Sequence, residues 1–133
     1  MKFARRVVRA QFELLADALG EAATFRLLAG DMPACCEDDD PPGLLVEIEL
    51  GPQPFQITDG KLALSETLIG KGTSSAGRGK LARSYRIYSA DGECITQGSV
   101  GALDDDCDLL LDNVSIASGQ KFVVGNFELK MRE

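Results

Sequence analysis

Histidine and tryptophan are both missing from this sequence, and only two tyrosines occur among its 133 residues. Without histidine, the His-dependent catalytic triads and the His-containing zinc sites are excluded. Scarce aromatics weaken a carbohydrate- or host-surface-binding reading, because sugar sites favour exposed rings. Basic residues are outnumbered, 14 Lys and Arg against 21 Asp and Glu, for a net charge of −7. Binding to nucleic acid rests largely on neutralising phosphates. Apart from a short group at Lys2, Arg5, Arg6 and Arg9 the cations are scattered, so no direct nucleic-acid partner is expected. No apolar run approaches the ~20 residues that span a bilayer, which argues against a membrane partner. Charges also break up the N-terminal MKFARRVVRAQFELLADALG before a signal-peptide core can form. That segment reads as part of a mature fold made in the cytoplasm.

The length fits one domain with a sizeable core. Within residues 3–19, apolar side chains at Phe3, Val7, Val8, Phe12, Leu14, Leu15, Ala18 and Leu19 recur at helical offsets, and Gly20 stands where a helix-terminating glycine belongs. Arg5, Arg6 and Arg9 lie at the positive pole and Asp17 near the negative one, so the helix depends on packing rather than on its own dipole. Its apolar stripe, represented by Phe3, Val7, Val8, Phe12 and Leu15, is expected to make assembly contacts. After Gly20 the period changes to two. ATFRLLA (23–29), LLVEIEL (44–50), RSYRIYS (83–89), ECITQGSVG (93–101), LLLDNVSI (109–116) and QKFVVGNFELKMRE (120–133) read as strands, with turns at ADG (90–92) and Ser118-Gly119. In RSYRIYS the alternation sets Tyr85, Ile87 and the serines against Arg86 and Tyr88. The expectation is a mainly-β protein: an N-terminal helix or arm over 1–20, then an antiparallel β-sandwich over 21–133.

Three stretches invite a chemical reading. GKGTSSAGRGK (70–80) is Gly-rich, but no opening glycine stands at the spacing of a phosphate loop, so a flexible surface loop is expected. DDDCD (104–108) lacks the glycine and glutamate of an EF-hand and reads as a solvated acidic turn. Cysteines fall at Cys35, Cys36, Cys94 and Cys107, a spacing unlike the paired Cys-x₂₋₄-Cys of a thiolate zinc site. Cys94, in a strand, reads as a small buried hydrophobe. Cys35 and Cys36 sit in ACCEDDDPP (34–42), whose four acids raise a thiol pKa and whose prolines place the loop at the surface. Adjacent cysteines join each other only with strain. Each is left to pair elsewhere, within the chain or across a subunit boundary, or to stay reduced. No catalytic residue, metal or cofactor is indicated.

The order of these segments resembles a family of small structural proteins of tailed bacteriophages. A helix is followed by a strand and a loop through Met32-Pro33-Ala34, then LLVEIEL and GPQPF (51–55). SYRIYS, ADG, QGSVG (97–101), IASGQ (116–120) and FVVGNFEL come next. The similarity runs over nearly the whole chain from about residue 10, and the order of the elements carries it. It implies a virion structural protein on a β-sandwich, placed at the neck, collar or head–tail junction, or decorating the head. Its partners would be copies of itself and other virion proteins. In such a particle Cys35 or Cys36 is expected to form an intersubunit disulfide, with Cys94 or Cys107 as partner, once the particle leaves the reducing cell.

Overall fold

A computed structural model describes residues 4–20, 22–50, 55–58, 61–64, 67–102, 109–111, 114–124 and 128–129. It begins with α1 (Arg5–Leu19), and the chain leaves this helix through Gly20 at φ 73°. Neither end carries a compensating charge, as the sequence indicates. Packing holds the helix instead: Phe12, Leu15 and Leu19, spaced along one stripe, lie in or against the core, and the helix touches β3 and β8, defined below. Phe12 is thus committed to its own chain rather than to a neighbour. Val7 and Leu14 remain outside, whereas Phe3 and the side chain of Val8 lie outside the described residues.

Ten of the twelve strands described here pair only antiparallel. In order they are β1 (Thr24–Leu28), β2 (Leu44–Glu49), β3 (Phe55–Thr58), β4 (Lys61–Leu64), β5 (Leu68–Lys71), β6 (Lys80–Leu81), β7 (Ser84–Tyr88), β8 (Cys94–Ala102), β9 (Leu109–Leu111), β10 (Ser115–Ile116), β11 (Lys121–Val124) and β12 (Glu128–Leu129). The largest sheet runs β2-β1-β7-β8-β9; β10-β6, β11-β5 and β12-β4-β3 form smaller ones. Contrary to the all-antiparallel expectation, β9 joins β8 in parallel, with Val100 opposite Leu109. The protein is mainly β with one N-terminal helix. Among the described residues no helix is long and apolar enough to cross a membrane.

Alternation along the central strands decides which side becomes the core. Phe25 and Leu27 of β1 align with Ile48 and Val46 of β2 and with Ile87 and Tyr85 of β7, so these apolar side chains share one face. Phe25 stacks on Tyr85, centroids 5.9 Å apart, and on Phe122 of β11, 6.4 Å away. It thereby ties the large sheet to a small one. Over the same face passes β5, at Gly70, where a β-carbon would sit 2.8 Å from the Ile48 side chain. The segment expected to be a flexible glycine-rich loop is also drawn in. Gly72 bridges to Val46, the Thr73 amide bonds the Leu45 carbonyl at 2.7 Å, and Ala76 is buried in a 3₁₀ turn over Ser74–Ala76.

Phe25 has no solvent exposure and contacts two sheets, so Phe25→Ala should lower the unfolding free energy by about 3–5 kcal/mol. Val123→Ala, on an exposed position of β11, should stay within about 0.5 kcal/mol. Urea unfolding followed by far-UV circular dichroism checks both. Equal effects would show that the core does not centre on Phe25.

Candidate functional site

Opposite the core, the large sheet presents polar side chains. Arg26 of β1 faces Glu47 and Arg86 across the ladders, and Arg86 in turn faces Gln97. Ser84 and Tyr88 share that face by parity. Ser84 therefore departs from the expected grouping with Tyr85 and Ile87: its hydroxyl donates to the Gly30 carbonyl at 2.6 Å. Across this polar face lies the segment joining β1 to β2, which contains ACCEDDDPP.

This connection is closed at its neck and strapped at its middle. Two main-chain hydrogen bonds close the neck, from Ala29 N–H to the Gly43 carbonyl at 2.9 Å and from Gly30 N–H to the Pro42 carbonyl at 3.0 Å. Gly30 is needed there: a β-carbon would lie 2.7 Å from Pro41 and 2.8 Å from Pro42. At the middle, Arg86 is only 1% exposed. Its guanidinium donates to the Asp38 carbonyl at 3.0 Å, the Cys35 carbonyl at 3.2 Å, an Asp40 carboxylate oxygen at 2.9 Å and Gln97 Oε1 at 3.1 Å. Gln97 reaches on with its Nε2 to the Pro33 carbonyl at 2.7 Å, and the Tyr88 hydroxyl donates to Asp40. The exposed acidic loop expected from the sequence is thus a strap. Glu37, Asp38 and Asp39 are exposed, while the Cys35 and Asp38 carbonyls and the Asp40 carboxylate face Arg86.

Electrostatics favour the charged anchor. Burial works against the Arg86 charge, yet hydrogen bonding with Tyr88 and Asp40 helps to outweigh it and push its pKa above the ordinary value. Burial, then the hydrogen bond to Asp40, raises the Tyr88 phenol, so it remains a donor through neutral pH. Arg26 lies 4.7 Å over the Tyr88 ring and pairs with Asp40 at 3.4 Å and Glu47 at 3.2 Å. These outer pairs are partly hydrated and each contributes about 0–1 kcal/mol. The inner network matters more, because it satisfies a charge that has almost no water.

The cysteines divide by position. Cys35 is exposed, and its thiol is raised by a hydrogen bond to Asp38, by desolvation and by the Asp38 charge. Cys36 and Cys94 are half-buried. Burial first, then Cys36, pushes Cys94 up to about 12. Cys94 is accordingly less enclosed than a core hydrophobe, with its thiol also 3.6 Å from the Thr96 carbonyl. Cys107 and all of DDDCD lie outside the described residues.

Sequence reasoning placed Arg86 and Tyr88 correctly away from Tyr85 and Ile87 but did not find their partner. One signal was available: a cation alternating with core residues, in a chain whose longest acidic run follows the neighbouring strand. Among the described residues no group of three or more Cys, Asp or Glu is placed to hold a metal ion. No protein-family model, curated protein or solved structure matches the chain.

Replacing Arg86 by Met removes the donor from two carbonyls, Asp40 and Gln97 at once. Arg86→Met should cost about 3 kcal/mol, at the lower end for a broken buried ion pair because Asp40 is 44% exposed. Asp40→Asn, which keeps an acceptor oxygen, should cost about 1 kcal/mol. Urea unfolding measures both, and hydrogen exchange should report lost protection at the Gly30 amide in Arg86→Met alone. An Arg86→Met protein as stable as the parent would remove the strap's assigned anchor.

Proposed function

We propose that this chain is a structural protein of a tailed bacteriophage particle, assembling as a homo-oligomeric ring or sheath at the neck or collar and built on a β-sandwich. Support for the sandwich comes from Phe25, which stacks across two sheets, and from β5 lying over the face of β2 at Gly70. The observation that carries the assembly reading is where the large apolar side chains remain outside. Ile69 and Val123, 60% and 49% exposed, stand directly opposite each other on β5 and β11, and Leu14 on α1 is 70% exposed. A paired apolar patch on a β-surface suits contact with another protein. The polar groups of the large sheet, by contrast, are engaged in holding the chain's own strap. Exposed Cys35 is the described thiol best placed to bridge neighbours. A sugar-binding module is not favoured: both tyrosines, and every phenylalanine whose side chain is described, are buried.

Sedimentation velocity and negative-stain imaging of the purified chain test this reading, together with mass spectrometry of particles carrying its genome. Closed oligomers and presence in those particles are expected. Ile69→Lys with Val123→Lys should shift the oligomer to monomer while changing stability by only about 0.5 kcal/mol per site. A wild-type monomer that is absent from the particles would overturn the proposal.

A further inference from the structure

Strands β5 and β11 turn one side to the core and the other to solvent. Inward, Phe122 stacks on Phe25 and Gly70 passes over Ile48. Outward, Ile69 stands opposite Val123 and, two residues along, Lys71 stands opposite Lys121, all of them exposed. Like charges directly opposite on a ladder repel, and among the described residues neither lysine forms an ion pair. Nothing acidic lies in the same segments: residues 67–82 and 114–124 hold Lys71, Arg78, Lys80 and Lys121 without a single Asp or Glu. The opposite extreme is the strap, where residues 31–40 hold Asp31, Glu37, Asp38, Asp39 and Asp40 and no cation. Glu37 and Asp39 are exposed, their carboxylates take no part in binding Arg86, and Met32 in the same segment is 41% exposed. The strap covers the polar face of the large sheet while β5 and β11 cover its apolar face, so the two surfaces point away from each other. One chain cannot bring them together. Two chains can.

We propose that the outer face of β5 and β11 on one copy receives the acidic strap of the next, so that copies join head to tail. The inference rests on the self-assembly proposed above and names its two surfaces. Glu37 and Asp39 answer the opposed ammonium groups of Lys71 and Lys121, and Met32 supplies an apolar contact for Ile69 and Val123. Copies of a chain with net charge −7 repel one another on approach. A cationic face on an otherwise acidic body leaves one orientation in which approach is favoured, which fixes the register of the contact. That face does not suit its own duplicate, since such a pairing sets four lysines together. The apolar pair beside the lysines also separates it from a phosphate-binding surface, which has no use for buried apolar area. Because the two surfaces differ, each joined copy keeps one free strap and one free face, and a closed ring satisfies both. The charged part of the contact is screened by salt.

Sedimentation velocity of the full chain with reversed charges tests this. The wild type should form oligomers that dissociate as salt is raised from about 0.05 M to about 0.5 M. Lys71→Glu with Lys121→Glu should sediment as a monomer, and so should Glu37→Lys with Asp39→Lys. Combined in one chain, the same substitutions should restore the oligomer. Far-UV circular dichroism checks that each variant folds; where the reversed strap does not, Glu37→Gln with Asp39→Asn should still loosen the oligomer. Carbodiimide coupling of the wild type should join Lys71 or Lys121 to Glu37 or Asp39 in the band of dimer mass. A wild-type monomer sinks self-assembly and this contact together. Oligomers indifferent to the strap substitutions, or a combined variant that is folded and monomeric, overturn this contact and leave self-assembly standing. Oligomers that survive reversal of the lysines, with retention of duplex DNA lost instead, would mark a phosphate site and overturn it as well.

Discussion

A guanidinium with almost no access to water must have its charge and its donors met, and that requirement organises one whole side of this protein. Arg86 is placed by strand alternation on the face of β7 that the apolar core does not use. Left uncovered, that face would be ordinary wet sheet. The strap between β1 and β2 covers it by supplying two main-chain carbonyls and a carboxylate. Gln97, one strand over, completes the acceptors and also carries the contact on to Pro33. The net acidity of the strap helps as well, since negative charge near a buried cation lowers the cost of its burial.

The two faces of the large sheet are therefore closed by different physics. On one, Phe25 and its neighbours bury apolar area against β11 and β5, an undirected attraction that tolerates small adjustments. On the other, directional hydrogen bonds specify a single path for the strap, because any shift leaves a buried donor unmet. α1 belongs with the first face: Phe12 and Leu19 enter the core, while its outer side keeps Val7 and Leu14 exposed. A chain closed on both faces retains its apolar surface at the periphery, on the outer side of the helix and on the β5–β11 pair. Those are the places where contact with a second protein would not compete with the fold.

The helix, its glycine exit and the strands β1, β2, β7 and β8 were legible in the sequence, because each carries an uninterrupted period and a clear stop signal. β3 and β4 were not, since each is four residues long and gives too few alternations to separate from a loop. β5 was hidden for another reason: its Gly70 looks like a loop residue and is in truth required by the close passage over Ile48. Segment 109–116 read as one strand, yet it supplies β9 to the large sheet and β10 to β6. Of the candidate site, the sequence showed the ingredients and not their meeting. Apolar periodicity reports which side chains are buried but is silent about main-chain carbonyls, and those carbonyls are what Arg86 binds.

Arg86 grips the strap chiefly through the carbonyls of Cys35 and Asp38, and every amino acid provides a carbonyl. Side chains at 34, 37 and 39 are thus released from holding the strap, whereas the number of residues between the neck at Gly30 and the strand at Leu44 is not. Deleting one residue would carry a carbonyl out of reach of the guanidinium even if composition were untouched. Away from Gly30 and Asp40, such a segment can vary in lettering at fixed length. That makes it a rigid frame on which the outward-facing chemistry of the surface, here strongly acidic, is exchanged without disturbing what lies beneath.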